Sequence, residues 1–232
     1  MSVRGGQLPL ALAVPAHARF ETFVAGGNAA ALRHVREIAA GRNEIVWLWG
    51  GRGKTHLLQA ACWAADRAGR RAMYLALARD GSVVPEMLRG LEAIEVLALD
   101  CVDAVAGDPL WEAELFALLN AFGSGQAALL MAARSAPAAA GFRLRDLESR
   151  AAGAVIYRLE PLGDDDQVTA LVAHAQARGL ELDRAAAQYL QQRVTRDIAE
   201  LVGWLDRLDR ESLAAQRRVT IPFIRDLLAA AG

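Results

Sequence analysis

Through the first 160 residues, short apolar bursts alternate with amphipathic stretches, an order that fits a parallel sheet covered by helices. Strands are expected at Ile45–Trp49, Ala72–Leu77, Ile94–Asp100, Ala127–Ala133 and Val155–Leu159. Val96-Leu97-Ala98-Leu99 is apolar at every position, as a strand must be when both faces of its sheet are covered. Helices are expected between the strands at Ala29–Ala40, Thr55–Ala68, Val84–Leu91 and Pro109–Phe122, with a short one at Arg145–Arg150. After Pro161 only helical periodicity remains, over Asp164–Arg178, Asp183–Val194, Asp197–Gln216 and Ile221–Ala231. Several of these helices open on an aspartate or threonine, residues that cap helix N-termini. The chain therefore divides into a segment at 1–18, an α/β domain with a five-stranded parallel sheet at 19–160, and a small all-helical domain at 161–232.

Charge narrows the function classes. The 232 residues carry 26 basic and 27 acidic side chains, net −1, which argues against broad neutralisation of nucleic-acid phosphates. Two cysteines, Cys62 and Cys101, imply no disulfide framework and point to a reducing compartment. No run approaches the ~18 apolar residues that span a bilayer. Arg4, Leu8–Val14 and Ala16-His17-Ala18 imitate a secretory signal, but Pro9 breaks the apolar stretch, so the expected location is cytoplasmic. Of the basic residues, 25 are arginine and one is lysine, Lys54.

That lysine sits in a telling place. Ile45–Trp49 runs into Gly50-Gly51-Arg52-Gly53-Lys54-Thr55-His56 and an amphipathic helix, the strand–loop–helix context of a nucleotide phosphate loop. Glycines let backbone N–H groups approach phosphate oxygens, and the helix N-terminus adds partial positive charge. Lysine suits the β- and γ-phosphates, and the threonine hydroxyl can hold Mg²⁺. The loop is two residues shorter than G-x-x-x-x-G-K-[ST], because the position for its first glycine is Leu48, inside the strand. A tight glycine turn that binds nothing also satisfies these residues.

Asp100 ends an apolar strand, where Mg²⁺-binding carboxylates sit in such folds, although an aspartate also caps strands. Its neighbour is Cys101 and not a second acid, so the group that orients attacking water is missing and weak or absent hydrolysis by the chain alone is expected. Ala132-Ala133-Arg134 shows no small polar sensor of a γ-phosphate. Arg150, before the last strand, is either a solvated helix-end arginine or an arginine finger that reaches another subunit's nucleotide.

These pieces, in this order, resemble the DnaA-like AAA+ family, and its regulatory homologues in particular. The resemblance rests on Phe20-Glu21-Thr22-Phe23-Val24-Ala25-Gly26-Gly27-Asn28, on Trp49-Gly50 with Gly53-Lys54-Thr55-His56-Leu57-Leu58, and on Asp108-Pro109-Leu110-Trp111-Glu112. Tyr157-Arg158-Leu159-Glu160-Pro161-Leu162 and Leu205-Asp206-Arg207-Leu208-Asp209 extend it, as does Ala215–Phe223, so nearly the whole chain is covered. It implies an AAA+ phosphate-loop domain followed by a helical lid, with no helix-turn-helix domain and no direct sequence-specific DNA binding. Gly50, Gly51, Gly53, Lys54, Thr55 and His56 would hold ADP or ATP, Thr55 and Asp100 the Mg²⁺, and Arg150 would act on ATP held by DnaA. The family's lid sensor arginine aligns with Ala199, with Arg196 three residues earlier.

Gln7-Leu8-Pro9-Leu10-Ala11-Leu12 resembles the short glutamine-led motif by which such homologues bind the β-subunit sliding clamp. Leu8, Leu10 and Leu12 would enter a hydrophobic groove while Gln7 makes polar contacts. The implied function is negative regulation of replication initiation: bound to the clamp, the chain stimulates hydrolysis of DnaA-bound ATP, with DnaA and the clamp as partners, no membrane, and a homo-oligomer open. Two rivals stand beside it, a DnaA-like ATPase or helicase loader active in its own right, and a nucleotide-free adaptor between clamp and DnaA.

Overall fold

The computed structural model describes residues 18–195 and 197–230. Five strands, β1 (Ile45–Gly50), β2 (Ala72–Ala76), β3 (Val96–Asp100), β4 (Ala128–Ala132) and β5 (Val155–Leu159), form one parallel sheet in the order β2-β3-β4-β1-β5. β3 and β4 are buried at every position, whereas edge strand β5 alternates, the pattern that separates central from edge strands. α1 (Ala29–Ala40) and α2 (Lys54–Arg67) cover one face through Val35, Ile38, Leu57 and Leu58. α3 (Pro109–Phe122) and α4 (Arg145–Ala152) cover the other, where Trp47, Leu115, Leu119 and Leu147 pack together.

The helices expected at Ala29–Ala40 and Pro109–Phe122 match end to end. The one expected at Val84–Leu91 does not form. Pro85 opens a single 3₁₀ turn to Leu88, and Gly90, at φ +83°, separates it from a second turn at Leu91–Ala93. β3 begins at Val96 and not Ile94, because the Ile94 amide donates to the Leu91 carbonyl in that second turn (3.0 Å).

Four helices follow the sheet: α5 (Asp164–Ala177), α6 (Arg184–Arg193), α7 (Ile198–Ala215) and α8 (Ile221–Ala229). Leu171, Leu190, Leu201, Leu205, Leu208 and Ile224 give them a core of their own. Asp183 and Asp197 cap α6 and α7, accepting from the amides of Ala186 (2.7 Å) and Ala199 (2.9 Å). Among the described residues no helix is long and apolar enough to cross a membrane.

Candidate functional site

Gly50, Gly51, Arg52 and Gly53 turn the chain from the C-terminal end of β1 into α2 in four residues. Gly50 (φ +88°) and Gly53 (φ +98°) take left-handed conformations that a side chain would strain. Gly51 lies against the end of β5: its amide donates to the Leu159 carbonyl (2.7 Å), and a Cβ there would stand 2.8 Å from that same oxygen. The shortened loop is thus closed onto its neighbouring strand.

The site's charged groups converge on this turn. Lys54 Nζ donates to the carbonyls of Gly50 and Gly51, each at 2.8 Å, so the ammonium caps its own loop. Partial burial lowers its pKa, opposed by the nearby Asp100 carboxylate. Thr55 Oγ1 donates to Asp100 Oδ2 (2.6 Å), which joins the two residues expected to hold Mg²⁺. Tyr74, on β2, donates its hydroxyl to the same oxygen (3.0 Å), and burial followed by the Asp100 charge pushes the phenol pKa up. Tyr74 stands opposite Ala98 in the parallel register, two residues before Asp100 on the same face, a relation invisible until the strands are paired.

Two further side chains, Cys101 and Asp103, follow Asp100 at the end of β3. Cys101 follows Asp100 in a left-handed conformation (φ 56°), and burial with the Asp100 and Asp103 charges raises its thiol pKa, leaving a neutral group that makes a poor base. Asp103 is turned to Arg134 beyond β4, accepting from its Nε (2.5 Å) and its amide (3.2 Å). Among the described residues no group of three His, Cys, Asp or Glu side chains could hold a metal by themselves.

A cleft of about 300 Å³ opens between the loop, the Thr22–Asn28 segment and the helical unit. Val24, Leu162, Ala170, Ile198, Ala199 and Val202 are among its apolar lining, and Thr55 and Gln59 among its polar lining. His56 meets His174 of α5 edge-on (centroids 5.2 Å apart) and Phe23 likewise (5.4 Å). Arg52 forms an ion pair with Asp197, the N-cap of α7, so the loop and the helical unit are joined directly. Ala199 presents a methyl group where the resemblance expects the sensor arginine; Arg196 lies outside the described residues.

Arg150 is far from this cleft. It lies on the last turn of α4, exposed, in the wall of a second depression with Ile45 and Val155, the first residues of β1 and β5. The five steps from Ile45 to Gly50 along β1, at ~3.3 Å each, put that end of the sheet roughly 17 Å from the phosphate loop. Among the described residues Arg150 makes no ion pair or side-chain hydrogen bond. The clamp-motif residues Gln7, Leu8, Leu10 and Leu12 lie outside the described residues.

A parallel sheet in this order, a glycine loop entering α2 and a helical unit folded over the cleft define the AAA+ class of phosphate-loop folds. Domain III of the Thermotoga maritima replication initiator DnaA shares the fold at TM-score 0.74 and 23% identity, over 88% of this chain and 92% of that one. DnaA from Aquifex aeolicus bound to AMPPCP matches at 0.68 and 24% identity, over 84% of this chain and 66% of that one. DnaA bound to AMPPCP and single-stranded DNA matches at 0.67 and 24% identity over 83% of this chain, which spans 64% of that protein.

The helical unit sharpens the assignment. Residues 164–228 match the family model described as the lid domain of Hda, so the helical unit is Hda-like and is joined to a domain with the DnaA-type fold.

Proposed function

We propose that this chain regulates replication initiation by supplying Arg150 to ATP held by DnaA while it is itself bound to the sliding clamp. The observation that carries this reading is the placement of Arg150: an exposed guanidinium that pairs with no acid among the described residues, at the opposite end of the sheet from its own loop. That placement is remote from the chain's own cleft and suits a nucleotide held by another chain. A guanidinium at a transferring phosphoryl group stabilises the charge that builds there and needs no chemistry of its own.

The chain's own cleft fits a nucleotide as a bound group better than as a substrate. Gly50, Gly51, Gly53, Lys54, Thr55 and His56 would hold the phosphates of ADP or ATP at the start of α2, and Thr55 with Asp100 the Mg²⁺. A bound phosphate competes with the Gly50 and Gly51 carbonyls for Lys54, which favours modest affinity. A nucleotide held there would lie between the residues of the loop and those of the helical unit that line the cleft, while Cys101, the Arg134–Asp103 pair and Ala199 leave hydrolysis without its usual groups. Calorimetric titration with ADP and Mg²⁺ should show saturable binding that Lys54→Ala removes. Absence of binding to the wild-type chain favours the nucleotide-free adaptor.

Clamp binding rests on Gln7, Leu8, Leu10 and Leu12. A Gln7→Ala, Leu10→Ala double variant should lose capture by immobilised clamp and keep the wild-type melting temperature. Undiminished capture refutes the assignment.

A further inference from the structure

An eight-residue helix is too short to hold its direction by itself, so the aim of Arg150 depends on what fixes the ends of α4. Leu147 and Ala151 bury one side of it against α3. Its N-cap is Leu144, whose side chain offers no cap, and an acidic side chain from another helix takes over that end. Glu112, in the first turn of α3 and 2% exposed, accepts from the amide of Leu144 (2.7 Å) and, through both oxygens, from that of Arg143 (3.0 and 3.1 Å). The same carboxylate accepts from the amide of Gly107 (2.6 Å), in the loop that descends from Asp100 and Cys101.

Capping of α3 itself does not require Glu112. Asp108 does that, accepting from Leu110 (3.0 Å) and Trp111 (3.4 Å). Nor is Glu112 half of an ion pair: among the described residues no basic side chain meets it, and three backbone dipoles answer its charge. A buried carboxylate is costly to keep, and this one joins three segments at one point: the loop after β3, α3, and the entry to α4. Arg150 lies six residues beyond that entry, about 9 Å along a helix, so a small tilt at Leu144 is carried to the guanidinium.

We propose that Glu112 is a positioning residue for Arg150, fixing the entry of α4 so that the arginine is aimed at the partner's nucleotide. This rests on the trans action of Arg150 proposed above. Misplacement of a reacting group by ~1 Å can cost on the order of 10²-fold in rate. Glu112→Gln keeps the shape but turns an amide N–H₂ toward backbone donors.

The test measures stimulated hydrolysis of DnaA-bound ATP, with DNA-loaded clamp, as a function of this chain's concentration. Glu112→Gln should lower the maximal rate by roughly ten- to a hundredfold, leave the half-saturating concentration within about twofold, and add no further loss to Arg150→Ala. Hydrogen exchange should quicken in 145–151 and stay unchanged in β1, β3 and β4. A wild-type maximal rate overturns the proposal, as does a loss of half-saturation and rate together, the signature of a merely structural residue. If Arg150→Ala itself leaves stimulation intact, the trans reading and this proposal both fall; if Arg150→Ala abolishes it and Glu112→Gln does nothing, only the proposal falls. Should Glu112→Gln not fold, Glu112→Asp keeps the charge, shortens its reach by one methylene and carries the same readouts.

Discussion

Arg150→Ala is expected to reduce clamp-dependent stimulation of DnaA's ATP hydrolysis to the rate of DnaA alone. An arginine finger contributes roughly 10³–10⁵ in rate, so the loss should exceed that of any other exposed substitution on this chain. The fold should survive, because the side chain is exposed and no described residue depends on it for an ion pair or hydrogen bond. Clamp capture should survive as well, since the motif at Gln7–Leu12 is separate in sequence. Arg150→Lys keeps the charge and loses the planar fork, and should recover little. Stimulation by Arg150→Ala within a fewfold of wild type would remove the proposed mechanism.

Trp47→Ala should be among the most damaging single changes to stability. Trp47 lies mid-β1, fully buried, and its indole N–H donates to the Ser135 carbonyl (2.9 Å) while its ring meets Phe142 edge-on (6.1 Å). Truncating a buried tryptophan costs about 3–5 kcal/mol, cavity included. At ~2–4 °C per kcal/mol for a chain of this size, the melting temperature should fall by roughly 10 °C. Trp47→Phe keeps most of the packing but orphans the carbonyl, and should cost about 1–3 kcal/mol. Urea unfolding measures both. Ser135 and Phe142 lie in the segment that enters α4, so Trp47→Ala should also loosen the aim of Arg150, a coupling absent from equally buried Leu57 on the other face of the sheet. Equal losses of stimulation in Trp47→Ala and Leu57→Ala, at matched stability, would contradict that coupling.

The sequence discloses most where neighbours along the chain suffice. The five strands, the helices Ala29–Ala40 and Pro109–Phe122, and the strand–loop–helix around Lys54 follow from local periodicity and turn chemistry. Val84–Leu91 misleads because its apolar spacing hides two breakers, Pro85 and Gly90, each able to end a helix. The contacts between distant positions are hidden for a different reason. Arg52 and Asp197 stand 145 positions apart, Tyr74 reaches Asp100 only once β2 and β3 pair, and Glu112 meets Leu144 only after α3 packs beside α4. The shortened loop could be counted in the sequence; that it closes onto Leu159 required the placed β5 strand.

Whose nucleotide is hydrolysed decides the account most directly. DnaA loaded with ATP labelled at the γ-phosphate and freed of excess nucleotide can be mixed with this chain and DNA-loaded clamp, and labelled phosphate release followed through one turnover. We expect release that rises with the concentration of this chain and needs the clamp, while the chain alone, given the same labelled ATP, releases none. Steady turnover by the chain alone, with DnaA's label retained, would contradict a regulator acting in trans and leave an ATPase working on its own account.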